Sequence, residues 1–262
     1  MSSELLHTKT ISTSPEGFYE SEALGLEFLR ETGGARVVKV VQYSESKLVL
    51  EFITSATPNA ESARDFGRKL AKTHSRKEKY FGVTPSKYSY FGPLDDPLNV
   101  VYKRTTTYYD HLLNRMNQMT DACLMRKKLT QEEAEQIENA TMNYLKSAPE
   151  EFVHEPPSRV HGDLWSGNLM WTTSERGKVE GVLIDPAAHT GHREEDLAML
   201  MLFGAQYFEE ILEGYNSECP LVPGFRTRFN LHNIYPLLAH VAFYDRGYLN
   251  QVHRNLAALS RG

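Results

Sequence analysis

The sequence predicts an α+β protein of two unequal parts, a small strand-bearing one over residues 1–53 and a larger, mainly helical one over residues 54–262. Three observations predict it. A helical apolar period near the start is followed at once by two short β-rich runs; the longer periods after residue 54 are helical; and one loop near residue 160 carries an Asp and an Asn at a spacing typical of catalysis.

Ser14-Pro15-Glu16-Gly17 opens a segment over residues 18–30 whose apolar positions recur at helical intervals and which stops at Thr32-Gly33-Gly34. The runs 36–43 and 47–53, rich in Val and Leu and separated by Ser44-Glu45-Ser46, read as adjacent antiparallel strands. Thr54 to Pro58 is a polar, proline-ended connector and the expected boundary between the parts. Beyond it, helices are expected over 60–75, 98–119, 131–147, 194–216 and 229–259. Residues 179–184 form a short strand-like run, and 158–171 mix turn and apolar character as a functional loop does.

Composition limits the function. With 262 residues, 40% hydrophobic and 24% charged, the chain can bury a sizeable core, and its net charge of -5 provides no basic field for nucleic acid or an anionic membrane. Its two cysteines, Cys123 and Cys219, are far apart and lack neighbours at zinc spacing, which points to a reducing compartment. No secretory leader or bilayer-length apolar run is visible, so the expected location is cytoplasmic and membrane-free; oligomeric state is not readable.

His161-Gly162-Asp163-Leu164-Trp165-Ser166-Gly167-Asn168 has the spacing of a kinase catalytic loop, in which an Asp takes the proton of the acceptor hydroxyl and an Asn five residues on holds magnesium. A second hard oxygen ligand is then required, and Asp185 ends the strand-like Val182-Leu183-Ile184 where protein kinases carry Asp-Phe-Gly. The plainer alternative is that Asp163 caps a turn and Asp185 ends a strand. Taken together, loop and carboxylate predict a kinase using ATP and Mg2+.

At these residues the chain resembles the fructosamine kinase (ketosamine kinase) family, which stands with the aminoglycoside phosphotransferases and choline kinases in the protein-kinase-like superfamily. Two strings carry the resemblance, residues 161–168 above and Ile184-Asp-Pro-Ala-Ala-His-Thr-Gly-His-Arg-Glu-Glu-Asp-Leu-Ala198. It extends to Leu202-Phe203-Gly204 and Tyr235-Pro236-Leu237-Leu238. It implies a protein-kinase-like fold with a small, truncated β-rich lobe and a helical lobe. It also implies ATP-dependent phosphorylation of the sugar 3-hydroxyl of ketosamines, the adducts of glucose or ribose with amines, with Asp163 catalytic and Asn168 and Asp185 on the metal.

The same resemblance implies that Lys9 pairs with the ATP phosphates and Glu22 with Lys9, whereas read alone they are a surface lysine and an outer-face glutamate. Main-chain groups of Glu51 and Ile53 fall where the adenine edge would be met, or simply end a buried strand. Asp196 is implied to accept hydrogen bonds from the catalytic-loop backbone, with helix capping as the alternative. His161, Trp165 and His192 are assigned to the substrate or its supporting shell, although a histidine near a turn also serves as a local hydrogen-bonding group; His189 shares that reading. The family carries a glycine-containing loop over the phosphates. Only eight residues precede Lys9, so that loop is not expected here, which leaves a start downstream of the true one, a reduced ATP-binding part or an inactive protein. Two other functions fit the motifs: a phosphotransferase acting on an aminoglycoside, choline or a sugar, and a nucleotide-binding pseudokinase.

Overall fold

A computed structural model describes residues 5–93 and 95–261; residues 1–4 and Gly262, the outer ends of the two expected parts, lie outside it, as does Leu94. The elements follow in chain order as β1 (Leu6–Lys9), α1 (Phe18–Arg30), β2 (Arg36–Val37), β3 (Val40–Tyr43), β4 (Leu48–Glu51) and α2 (Ala60–Ser75). Next come β5 (Tyr90–Phe91), β6 (Leu98–Asn99), α3 (Tyr108–Met125), α4 (Gln131–Ser147), α5 (Glu150–Val153), β7 (Ser158–Val160), β8 (Leu169–Thr173), β9 (Val179–Leu183) and β10 (His189–Gly191). The chain closes with α6 (Glu194–Leu202), α7 (Phe208–Glu218), α8 (Phe225–His232), α9 (Ile234–Phe243) and α10 (Leu249–Leu259).

Where caps and breakers flank a periodic segment, the helix matches its sequence. Asn59 and Ser62 exchange hydrogen bonds of 2.9 Å at the start of α2, and Thr130 and Glu133 form the same reciprocal box at α4. Gly33, at φ 65°, ends α1 in the left-handed conformation that glycine adopts without a Cβ clash.

Four expectations are corrected. Residues 98–119 are not one helix: Leu98–Asn99 pairs with Tyr90–Phe91, and α3 begins only at Tyr108, capped by Thr107. The helix expected over 194–216 breaks at Gly204 and Tyr207, both at positive φ. The one expected over 229–259 divides at Asn233 and again at Asp245, and its first piece already starts at Phe225. The run 36–43 also divides: β3 joins β4 as expected, but β2 leaves to pair in parallel with β9.

The sheets are small, with orders β1-β4-β3 and β2-β9-β8, plus the pairs β7-β10 and β5-β6. One apolar cluster joins α1, β4, α2, β9, α6 and α7, and so crosses residue 54; the other gathers α3, α4, α9 and α10. α2 and α7 meet backbone to backbone, because a Cβ on Gly67 would stand 2.0 Å from the Ile211 carbonyl oxygen and one on Gly214 2.1 Å from that of Arg64. Among the described residues, no helix is long and apolar enough to cross a membrane.

Candidate active site

β7 delivers the chain into residues 161–165, and the following single turn, Ser166–Asn168, leads into β8. Gly162 sits at φ 80°, where a Cβ would stand 2.3 Å from the Ala187 carbonyl oxygen, so only glycine lets this loop close on the segment after Asp185. Asp196, buried on α6, accepts the backbone N–H of His161 at 2.7 Å and that of Gly162 at 2.9 Å. Burial alone would raise its carboxyl, but the hydrogen bond and charge of His74, together with His161, hold it below its ordinary range. The His161 ring donates from Nε2 to the Ile184 carbonyl at 2.8 Å, which leaves Nδ1 to accept the Asp163 N–H at 3.3 Å. Burial keeps that imidazole below its usual value, as a neutral ring in two such bonds requires.

The Asn168 amide nitrogen donates to the Asp163 backbone oxygen at 2.8 Å, to its Oδ2 at 3.1 Å and to the Asp185 carbonyl at 3.4 Å. With the nitrogen so engaged, the amide oxygen is the atom left for a cation. The Asp163 carboxyl, partly open to the cavity but mostly walled by protein, is pushed up to about 8: burial dominates, Asn168 opposes it, and Asp185 and Asp196 add to it. Asp185 itself holds φ at 53°, an uncommon conformation for a residue with a Cβ.

Lys9 reaches both carboxylates around it, Glu22 Oε1 at 2.8 Å and Asp185 Oδ1 at 2.6 Å. Burial works to lower its ammonium, yet Glu22 and Asp185 outweigh that and raise it; burial in turn raises Glu22 against the pull of Lys9. Lys9, Glu22, Asp163, Trp165, Asn168 and Asp185 line one cavity of about 590 Å³. Its far wall is aromatic, with Phe203, His240, Phe243, Tyr244 and Tyr248.

With this geometry in place, the sequence model of the fructosamine kinase family matches residues 4–261. The chain belongs to the fructosamine kinase family. It is accordingly an ATP-dependent phosphotransferase. A Vibrio parahaemolyticus protein named probable ketoamine kinase is 30% identical over 241 residues, 89% of this chain and 77% of the relative. A crystal structure from Thermobifida fusca bearing the name fructosamine-3-kinase is 32% identical, with a TM-score of 0.83 over 98% of this chain and 86% of that one. The protein-kinase-like fold extends to a choline kinase of Streptococcus pneumoniae, 16% identical with a TM-score of 0.60 over 100% of this chain and 88% of that one.

Among the residues the family resemblance singled out, Lys9, Glu22, Asp163, Trp165, Asn168 and Asp185 share the cavity, while His161 and Asp196 stand behind the loop. Others lie apart. The Glu51 N–H donates to the Lys39 carbonyl at 3.0 Å and its carboxylate holds Arg36 and the Lys39 N–H, while Ile53 is buried in the first apolar cluster. Neither lines the cavity. His192 is buried against Phe152 and His232, with Nε2 3.5 Å from Glu155, and His189 donates no group to the cavity either.

Sequence reasoning missed His74, whose Nε2 meets Asp196 Oδ2 at 3.1 Å and whose Nδ1 meets the Tyr215 hydroxyl at 2.9 Å. The available signal was its place on the apolar stripe of α2, between Ala71 and the end of the helix.

Proposed function

We propose that the chain is a cytoplasmic ketosamine kinase that moves the γ-phosphoryl group of ATP to the sugar 3-hydroxyl of a fructosamine or ribulosamine, with residues 1–53 as the ATP-side lobe. One observation carries this reading: Asp163, Asn168, Asp185 and Lys9, drawn from three separated stretches of chain, face a single cavity of suitable size. The names of the relatives favour ketoamines over other alcohols.

In this reading Asp163 orients the acceptor hydroxyl and in its ionised form takes its proton, so turnover rises with pH toward 8, Lys9 holds the phosphates, and Glu22 keeps the ammonium in place. The donor set suits magnesium, since the acidic side chains of Glu22, Asp163 and Asp185 and the Asn168 amide border the cavity and the Asp185 carboxylate already accepts a cation, the Lys9 ammonium, at 2.6 Å. Asn168 and Asp185 would hold the ion, which when bound neutralises charge on the transferring phosphates. Excluding water is the task of the aromatic wall.

The test is ADP release from Mg-ATP with fructosamines, ribulosamines, the parent amines and unglycated amino sugars. Turnover confined to ketosamines, giving a 3-phosphate, is the expected result. Turnover only on other alcohols, or nucleotide binding with no turnover on any of them, overturns it.

A further inference from the structure

Arg159 is a buried cation that the motifs do not explain. It occupies the middle of β7, four residues before Asp163, opposite Thr190 of β10. Its side chain is only 8% exposed, yet it reaches out of the catalytic strand to the far end of α1. Nη1 donates to the Phe28 carbonyl and to Glu31 Oε2, both at 2.8 Å; Nε donates to Glu78 Oε1 at 2.8 Å; and the guanidinium lies 4.0 Å from the centre of the Phe28 ring.

The Phe28 carbonyl is one of the four at a helix end that lack an intrahelical partner. The N–H groups of Glu31, Thr32 and Gly33 go to Glu27, Leu29 and Arg30, so Arg159 takes the carbonyl these turns leave over. A cation there also meets the negative end of the helix dipole.

α1 also carries Glu22, six residues before Phe28. Between Glu22 and Phe28, Gly25 lies against the segment after Asp185, where a Cβ would be 3.3 Å from both Pro186 and Ala188. Residues 22, 25 and 28, spaced three apart, therefore run along Lys9, the metal-side segment and the catalytic strand in turn. We propose that Arg159 is a positioning residue that locks α1 to the strand leading into Asp163, and thereby fixes the Lys9–Glu22 pair against the catalytic loop. The effect on catalysis rests on the reading of Lys9 as the phosphate-binding lysine; the lock itself does not.

The experiment compares Arg159→Met and Arg159→Lys with the parent chain in three readouts: kcat with separate KM values for ATP and acceptor, affinity for a fluorescent ATP analogue, and hydrogen exchange in α1. Arg159→Met is expected to weaken nucleotide binding and raise KM for ATP by about tenfold, the scale of one lost charge-assisted hydrogen bond, with the acceptor KM unchanged and exchange in α1 accelerated. Arg159→Lys keeps the charge but loses the fork and the stacked plane, so it recovers only part. Should Arg159→Met fold poorly, Glu31→Gln removes only the exposed partner and shifts the same readouts in the same direction by less. Unaltered exchange in α1, or a lower melting temperature with nucleotide affinity and KM for ATP unchanged, overturns the proposal. If α1 exchanges faster while nucleotide binding in Lys9→Met equals that of the parent, the lock stands and the reading of Lys9 falls.

Discussion

Asp163 and Lys9 face the same cavity but are held in opposite ways. The loop that presents Asp163 is fixed through its backbone, by two N–H bonds to buried Asp196, by the His161 ring on Ile184 and by the Asn168 amide. Lys9 ends a four-residue strand that, among the described residues, has a partner on one side only and whose first three residues are exposed. Its ammonium is placed by two ion pairs. Hydrogen-bonded backbone in a dry setting needs no reorganisation during reaction, whereas an ion pair facing a cavity can be exchanged for a ligand's charges. In the proposed reading, the acceptor side is therefore built before substrate arrives, and the phosphate side is completed by it.

The sharpest way to break that comparison is Asp163→Asn, which preserves shape and removes the carboxylate proposed as the base. A fall in kcat of about a thousandfold is expected, with no loss of melting temperature. The sign on stability follows from the carboxyl being pushed up by burial: its ionised form is disfavoured in the fold, so above its ordinary range it opposes folding, and an amide does not. Turnover within threefold of the parent would show that Asp163 is not the base.

Asp196→Ala should be the next largest and should differ in kind. It strands the His161 and Gly162 N–H groups and His74 in a buried place, at about 3 kcal/mol, or roughly 10 °C in melting temperature for a chain of this size. Activity should fall with it. A variant that loses activity while melting with the parent would assign Asp196 to the chemistry and not to the loop's support.

The same contrast explains what the sequence disclosed. The loop at 161–168 and the carboxylate at 185 were legible because their geometry is made by neighbours in the chain, with Gly162 and Asn168 within five residues of Asp163. α1, α2 and α4 were legible for the same reason, since caps and glycine stops are local. Of the partners supplied by distant elements, Asp196 behind the loop and Glu22 beside Lys9 were reached only through the family resemblance, and two others were not reached at all. His74 comes from α2 and Arg159 reaches across to α1, and nothing beside either residue announces its contact. β2 pairs with β9 only in the folded chain, so a run of β-prone residues could not reveal that it divides. The merged helices failed differently: an apolar period was followed through Gly204 and Asp245 although both residue types signal a break.

Lys9→Met makes the smallest change to the fold and the finest test of the comparison. If Lys9 were a brace like Asp196, its loss would leave two unpaired carboxylates and a marked loss of stability. Here neither is expected to remain a stranded charge. Burial already raises Glu22, so without Lys9 it binds a proton, and the Asp185 side chain, 36% exposed, can be solvated from the cavity. The melting temperature should therefore stay within about 3 °C of the parent, while KM for ATP rises about tenfold or more and KM for the acceptor does not. Titration with an ATP analogue and a thermal melt on one preparation decide it. A large drop in melting temperature with nucleotide affinity intact would mean that Lys9 belongs to the scaffold, and that both sides of the cavity are built in the same way.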